Sequence, residues 1–156
     1  MSATATKIST ARTSAGWELT ISRVFDAPRA LVFEMWSKPE HLARWWMPKG
    51  FTLPVCEMDF RPGGKWHFVF RGPDGQDYTS DSVYREIVVP ERIVFTGTLD
   101  HVPGDQVRTT LTFTEDGGKT TLTVHQVHSV ESPATKGAPI GWTQTLDNLA
   151  AALAER

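Results

Sequence analysis

Two histidines, His125 and His128, stand three residues apart, a spacing at which a helix could present both to one metal ion. The segment that carries them alternates through Leu122 and Val124 and reads as a strand. Residues three apart on a strand point to opposite faces, so the pair reads as surface or partly buried histidines and not as a ligand set. Cys56 is the one cysteine; it excludes an internal disulfide and any multi-cysteine zinc site and fits a reducing compartment. Near Val55 and Met58 on a strand it reads as a small core residue, since a reactive thiol needs an electropositive neighbour. No G-x-S-x-G elbow is present. Gly63-Gly64 and Gly117-Gly118 are not followed by helices, so neither presents a helix N-terminus to a phosphate, and both read as hairpin turns. Glu57, Asp59, Asp81 and Glu86 lie on strands and could work as general acids or bases if a cavity buried them. No zinc or iron site is expected, and no cofactor.

The other conspicuous residues are rings: 6 Trp and 8 Phe against 2 Tyr. They either fill a dense core or line an apolar cavity, and the elements that carry them decide which.

Residues 1–16 are mostly Ser, Thr and Ala and read as a frayed tail, with no apolar stretch for a secretory signal. Residues 17–156 read as a single domain. Trp17 to Phe25 alternates as a strand, with Trp17, Leu19, Ile21 and Arg23 on one parity. Asp26 offers an N-cap with Pro28 in the first turn, and Leu31, Val32, Met35 and Trp36 mark one face of a short helix. Pro39 starts a second helix, with Leu42, Trp45 and Trp46 inward. Strands follow over 51–60, 65–71, 76–89, 92–99, 107–115 and 119–130, with turns at RPGG, GPDG, Pro90-Glu91 and DGG and a loop over 101–106. Ser132-Pro133 ends the sheet and 136–139 reads as a loop. From Ile140 to Ala154, Trp142, Leu146, Leu149 and Leu153 recur at helical spacing.

The fold class is therefore α+β. An antiparallel sheet of about seven strands has one apolar face to cover, and only the C-terminal helix is long enough to cover it. This is a helix-grip arrangement, with two short helices after the first strand and space between sheet and long helix for a small apolar ligand. Trp17 and Trp36 are assigned to the core. Trp45 and Trp46 at the mouth, and Trp66, Phe68, Phe70 and Phe95 on the sheet, are assigned to the cavity wall. Trp142 and Leu146 form its helix side. For the acids the register matters. A plain 61–64 hairpin sets Glu57 and Asp59 beside Trp66 and Phe68, whereas a one-residue bulge at Gly63-Gly64 sets Cys56, Met58 and Phe60 there. The second buries more apolar area, and His67 then faces outward with Lys65.

Residues 60–64 (FRPGG), Trp66, RGPDG at 71–75 and YREIVVPERIVFT at 84–96 resemble the SRPBCC superfamily. The resemblance is to its branch named after the C-terminal domain of the heat-shock-protein-90 ATPase activator. Asp26-Ala27-Pro28, Pro39-Glu40, Trp45-Trp46 and GWTQTLDNLA at 141–150 fit the same branch, so the match runs over about residues 17–155. It implies a START-related fold with an inner cavity. It does not imply chaperone activation, which belongs to a co-chaperone with an additional N-terminal domain, and it transfers no catalytic motif. Three positions depart from the branch. Lys38 stands where an acid often caps the second helix, Ser82 where Gly is usual, and Val89-Pro90 where two prolines are usual.

With a net charge of −2 the chain lacks the basic face that nucleic acid requires, and no run of about 18 apolar residues would span a membrane. The expected function is binding or carriage of a small hydrophobic ligand, aromatic, lipid or polyketide-like, in the cytoplasm. The alternatives are a cyclase- or hydrolase-type enzyme using a cavity acid or histidine, and a module that binds a chaperone or regulator. A homodimer is left open.

Overall fold

The computed structural model describes residues 6–99, 106–131 and 133–155. In chain order the elements are β1 (Lys7–Thr13), β2 (Gly16–Phe25), α1 (Arg29–Glu34), α2 (Pro39–Leu42), β3 (Thr52–Met58) and β4 (Lys65–Arg71). Then come β5 (Asp77–Val88), β6 (Arg92–Leu99), β7 (Val107–Asp116), β8 (Lys119–His128) and α3 (Pro133–Ala154). The strands form one antiparallel sheet in the order β1-β2-β8-β7-β6-β5-β4-β3. One face is covered: α3 packs on β2, α1 on β7 and β8, and α2 against β3. Leu19, Ile21, Leu111, Leu122 and Val124 are fully buried there with Leu146 and Leu149 of α3. The helix-grip reading of the sequence thus describes the molecule.

Three local expectations are revised. The frayed tail expected over 1–16 is, over residues 7–13, an eighth strand paired with β2 from Lys7↔Ser22 to Thr13↔Gly16. All seven of its residues are exposed, so composition carries no signal for it; ladder hydrogen bonds along the edge of β2 hold it. The long helix begins at Pro133 and not at 140, and takes in Lys136-Gly137-Ala138-Pro139. Pro is at home in a first turn, and tertiary packing overrides the low intrinsic propensity of Gly137 and Pro139. Asp26 does not cap α1: Pro28 is the N-cap residue, without a side-chain cap, and the Arg29 amide donates instead to the Glu115 carboxylate of β7 at 2.6 Å. Lys38 likewise caps nothing, and α2 is a single turn. The expected loop over 101–106 lies outside the described residues except for Gln106.

The β3–β4 hairpin takes the bulged alternative. Met58 stands opposite Trp66, and Cys56 opposite Phe68. Gly63 adopts φ +84°, and a Cβ on Gly64 would stand 2.0 Å from the Asp59 carbonyl oxygen, so the turn that sets this register needs glycine at both places.

Candidate functional site

Between the sheet and the first half of α3 lies a cavity of ≈ 300 Å³. Five expected wall residues line it: Trp46 from the segment after α2, Trp66 and Phe70 from β4, Phe95 from β6 and Trp142 from α3. Four of these rings form a chain of contacts, and Phe70 touches Phe68 instead. Trp46 lies 5.3 Å from Trp142 and 6.1 Å from Trp66, and Trp66 lies 4.2 Å from Phe95, centroid to centroid. Trp46 therefore joins the helix wall to the sheet wall.

The other three expected wall residues are elsewhere. Trp45 is fully buried; its indole donates to the Met35 carbonyl at 3.1 Å and its ring meets Trp36 at 4.6 Å. Neighbours on a helical turn point about 100° apart, so only one of Trp45 and Trp46 can face the cavity. Phe68 shares the inner face with Trp66 and Phe70, but it is stacked on Trp66 at 4.7 Å and has no exposed surface. Leu146, one turn beyond Trp142, is fully buried in the core and does not line the cavity. Trp36 is buried, as assigned, and Trp17 is half-buried against the core.

Glycine shapes the helix wall. Gly137, Ala138 and Gly141 line the space, and a Cβ on Gly137 or Gly141 would meet nothing within 4 Å. On the sheet, Ser82 faces Gly97 across β5 and β6, and a Cβ on Gly97 would stand 2.1 Å from the Ser82 hydroxyl oxygen. The side chain at position 82 thus occupies room that glycine provides on the next strand.

A polar seam crosses the cavity that ring-counting missed. The Gln126 amide nitrogen donates to the Thr109 hydroxyl at 3.0 Å. Its carbonyl oxygen accepts from the Trp142 indole at 3.3 Å and from His128 Nε2 at 2.9 Å. His128 is buried, not superficial. The signal was available: Gln126 and His128 continue the inward parity of Leu122 and Val124, and Thr109 that of Leu111 and Phe113.

None of the four candidate acids faces this space. Glu57 and Asp59 are exposed, Asp81 holds His67 at 2.6 Å on the outer face, and Glu86 pairs with Arg92 at 2.8 Å. The Asp81 hydrogen bond raises the pKa of His67 above its ordinary value. His125, on the opposite face from His128, meets Glu18 at 2.8 Å. The Thr13 hydroxyl and then His125 hold the Glu18 carboxyl below its ordinary range. A second depression of ≈ 720 Å³ lies over the outer side of β3–β6 and is lined by charged groups such as Glu57, Lys65, His67 and Arg85. Several of these already have partners, Arg85 on Thr96 among them, so it offers an apolar ligand little. Among the described residues no group of three or more His, Cys, Asp or Glu is placed to hold a metal.

Cys56 is half-buried, and burial pushes its thiol up to about 11. Against an unperturbed thiol this leaves roughly a hundredfold less thiolate at neutral pH. Iodoacetamide should therefore alkylate native Cys56 on the order of a hundred times more slowly than it alkylates glutathione. Labelling at the free-thiol rate would show that this strand opens.

A long helix held over one face of an antiparallel sheet, with a ring-lined cavity under its first half, defines the helix-grip class of folds. Within that class the chain belongs to the family described as activator of Hsp90 ATPase homolog 1-like protein, of the SRPBCC superfamily, whose model matches residues 26–154. Among solved structures it is similar to protein CV1439 from Chromobacterium violaceum, at 30% identity over 86% of this chain and 94% of that one, with a TM-score of 0.81. The AHSA1 protein of Silicibacter pomeroyi shares 25% identity over 88% of this chain and 97% of its own, with a TM-score of 0.73. CalU16 from Micromonospora echinospora shares the fold, at 20% identity over 95% and 85% of the two chains and a TM-score of 0.71. A search of curated proteins finds no match.

Proposed function

We propose that this chain binds or carries a small hydrophobic molecule in the cavity between the sheet and α3. The observation that supports this is a ≈ 300 Å³ space walled by Trp46, Trp66, Phe70, Phe95 and Trp142, with glycines on the helix side that leave it open. Rings supply large apolar contact at low entropic cost, and the volume lies at the lower end of small-molecule sites. The enzyme alternative rests on one observation, the buried Gln126–His128 pair. His128 is the one histidine among the described lining residues, and none of those residues is an Asp or Glu. Among the described residues no helix is long and apolar enough to cross a membrane. A cytoplasmic carrier, as monomer or homodimer, is the setting proposed.

Titration with the neutral fluorophore N-phenyl-naphthylamine should show saturable binding with quenching of tryptophan emission. Gly141→Leu extends a side chain into the empty space with no backbone in its way. It should weaken binding by about tenfold or more while leaving the melting temperature equal or higher, because Leu is the better helix former. Absence of binding, or a Gly141→Leu affinity equal to that of the parent, counts against this site.

A further inference from the structure

Ser80 on β5 and Thr145 on α3 line the cavity from opposite walls. They are 8% and 7% exposed, and among the described residues neither side chain makes a hydrogen bond. The Trp46 and Trp66 indole nitrogens, also on the cavity wall, are likewise buried without a partner, whereas Thr109, Gln126 and Trp142 are joined to one another. A hydroxyl that borders the cavity without a protein partner is open to a hydrogen bond from whatever occupies the space. Two of them facing one apolar space are placed to be satisfied by what fills it.

The charge of the lining narrows the occupant further. Among the described lining residues there is no Asp, Glu, Lys or Arg, and His128 Nε2 is committed to Gln126. A carboxylate or phosphate entering here would be desolvated without a counter-charge. A long acyl chain is also a poor match for ≈ 300 Å³ walled by rings.

Resting on the binding reading above, we infer that the ligand class is a compact, uncharged ring system with oxygen functions at two separated points. These are hydroxyl or keto groups, one meeting Ser80 on the sheet wall and the other Thr145 on the helix wall. The rings of Trp46, Trp66 and Trp142 take its apolar body, and the two hydroxyls set its orientation.

The test is competition against N-phenyl-naphthylamine on the intact chain, using biphenyl, its para,para′-diol and its para-carboxylate. The diol should compete at about tenfold lower concentration than biphenyl, and the carboxylate no better than biphenyl. In Ser80→Ala/Thr145→Val, which removes both hydroxyls with little change in side-chain size, the advantage of the diol over biphenyl should collapse. Equal competition by diol and biphenyl in the parent chain overturns the inference without any variant. So does a carboxylate that competes better than the diol, or an advantage that survives in the double variant. If the fluorophore itself does not bind, the binding reading falls and this inference with it; if it binds and the diol has no advantage, only the inference falls.

Discussion

Leu149→Ala should lower the free energy of unfolding by about 2–5 kcal/mol, the range for a leucine removed from a closed core. Leu149 has no exposed surface, and it lies on the stripe formed by Trp142, Leu146 and Leu153, all buried between α3 and the sheet. Truncation forfeits the transfer of the lost methyl groups and leaves a void that packed neighbours only partly close. The two halves of α3 have different tasks. The stretch 146–153 anchors the helix on the sheet, and the stretch 137–145 stands over the cavity. Urea unfolding measures the loss directly, and a value under about 0.5 kcal/mol, the range of surface changes, would place the stripe in solvent.

Asp147→Ala should cost about 2–3 kcal/mol through a different mechanism. Arg23 is on the inner face of β2 with Leu19, Ile21 and Phe25, and it is 8% exposed. Its guanidinium reaches the Asp147 carboxylate on α3 and lies 5.5 Å from the centre of the Phe25 ring, while its Nε finds no partner. Removing the carboxylate leaves a positive charge sealed against apolar neighbours. Breaking a fully buried pair costs about 3–5 kcal/mol, and the cost here falls at or below the low end of that range because the Asp147 side chain is 43% exposed and water can reach it. Arg23→Met/Asp147→Ala removes the stranded charge as well as the bond, so it should be more stable than Asp147→Ala alone. If Asp147→Ala changes the urea midpoint no more than a surface substitution does, water already solvates the guanidinium and the pair does not hold the helix.

Much of the architecture was legible along the chain. Alternation from Trp17 to Phe25 and from Lys119 to His128, turn chemistry at RPGG, GPDG and DGG, and the 142–146–149–153 spacing each report a local preference that tertiary packing reinforces. The bulged register of β3 on β4 was also readable, because one alternative buried Cys56 and Met58 and the other buried two carboxylates. The edge strand β1 was not readable, since a strand exposed on both faces carries no hydrophobic pattern. The cap on α1 was not readable either, because Glu115 comes from 86 residues away.

For the candidate site, local order determined which face each side chain takes. Strand parity sent Trp66, Phe68 and Phe70 inward together, and with the same rule it sent Gln126 and His128 inward behind Leu122 and Val124. Which inward side chains meet one another and which meet empty space was decided only by the docking of α3 across the sheet. Phe68 and Phe70 share a face, yet the stacked Trp66 closes over the first while the second borders the cavity. Trp142 and Leu146 share a helix face, yet at one end the glycines at 137 and 141 leave the space under the helix unfilled, and at the other the buried leucines fill it. A cavity is the volume that two surfaces fail to fill, so it depends on their distance and shape as well as on the residues that each presents.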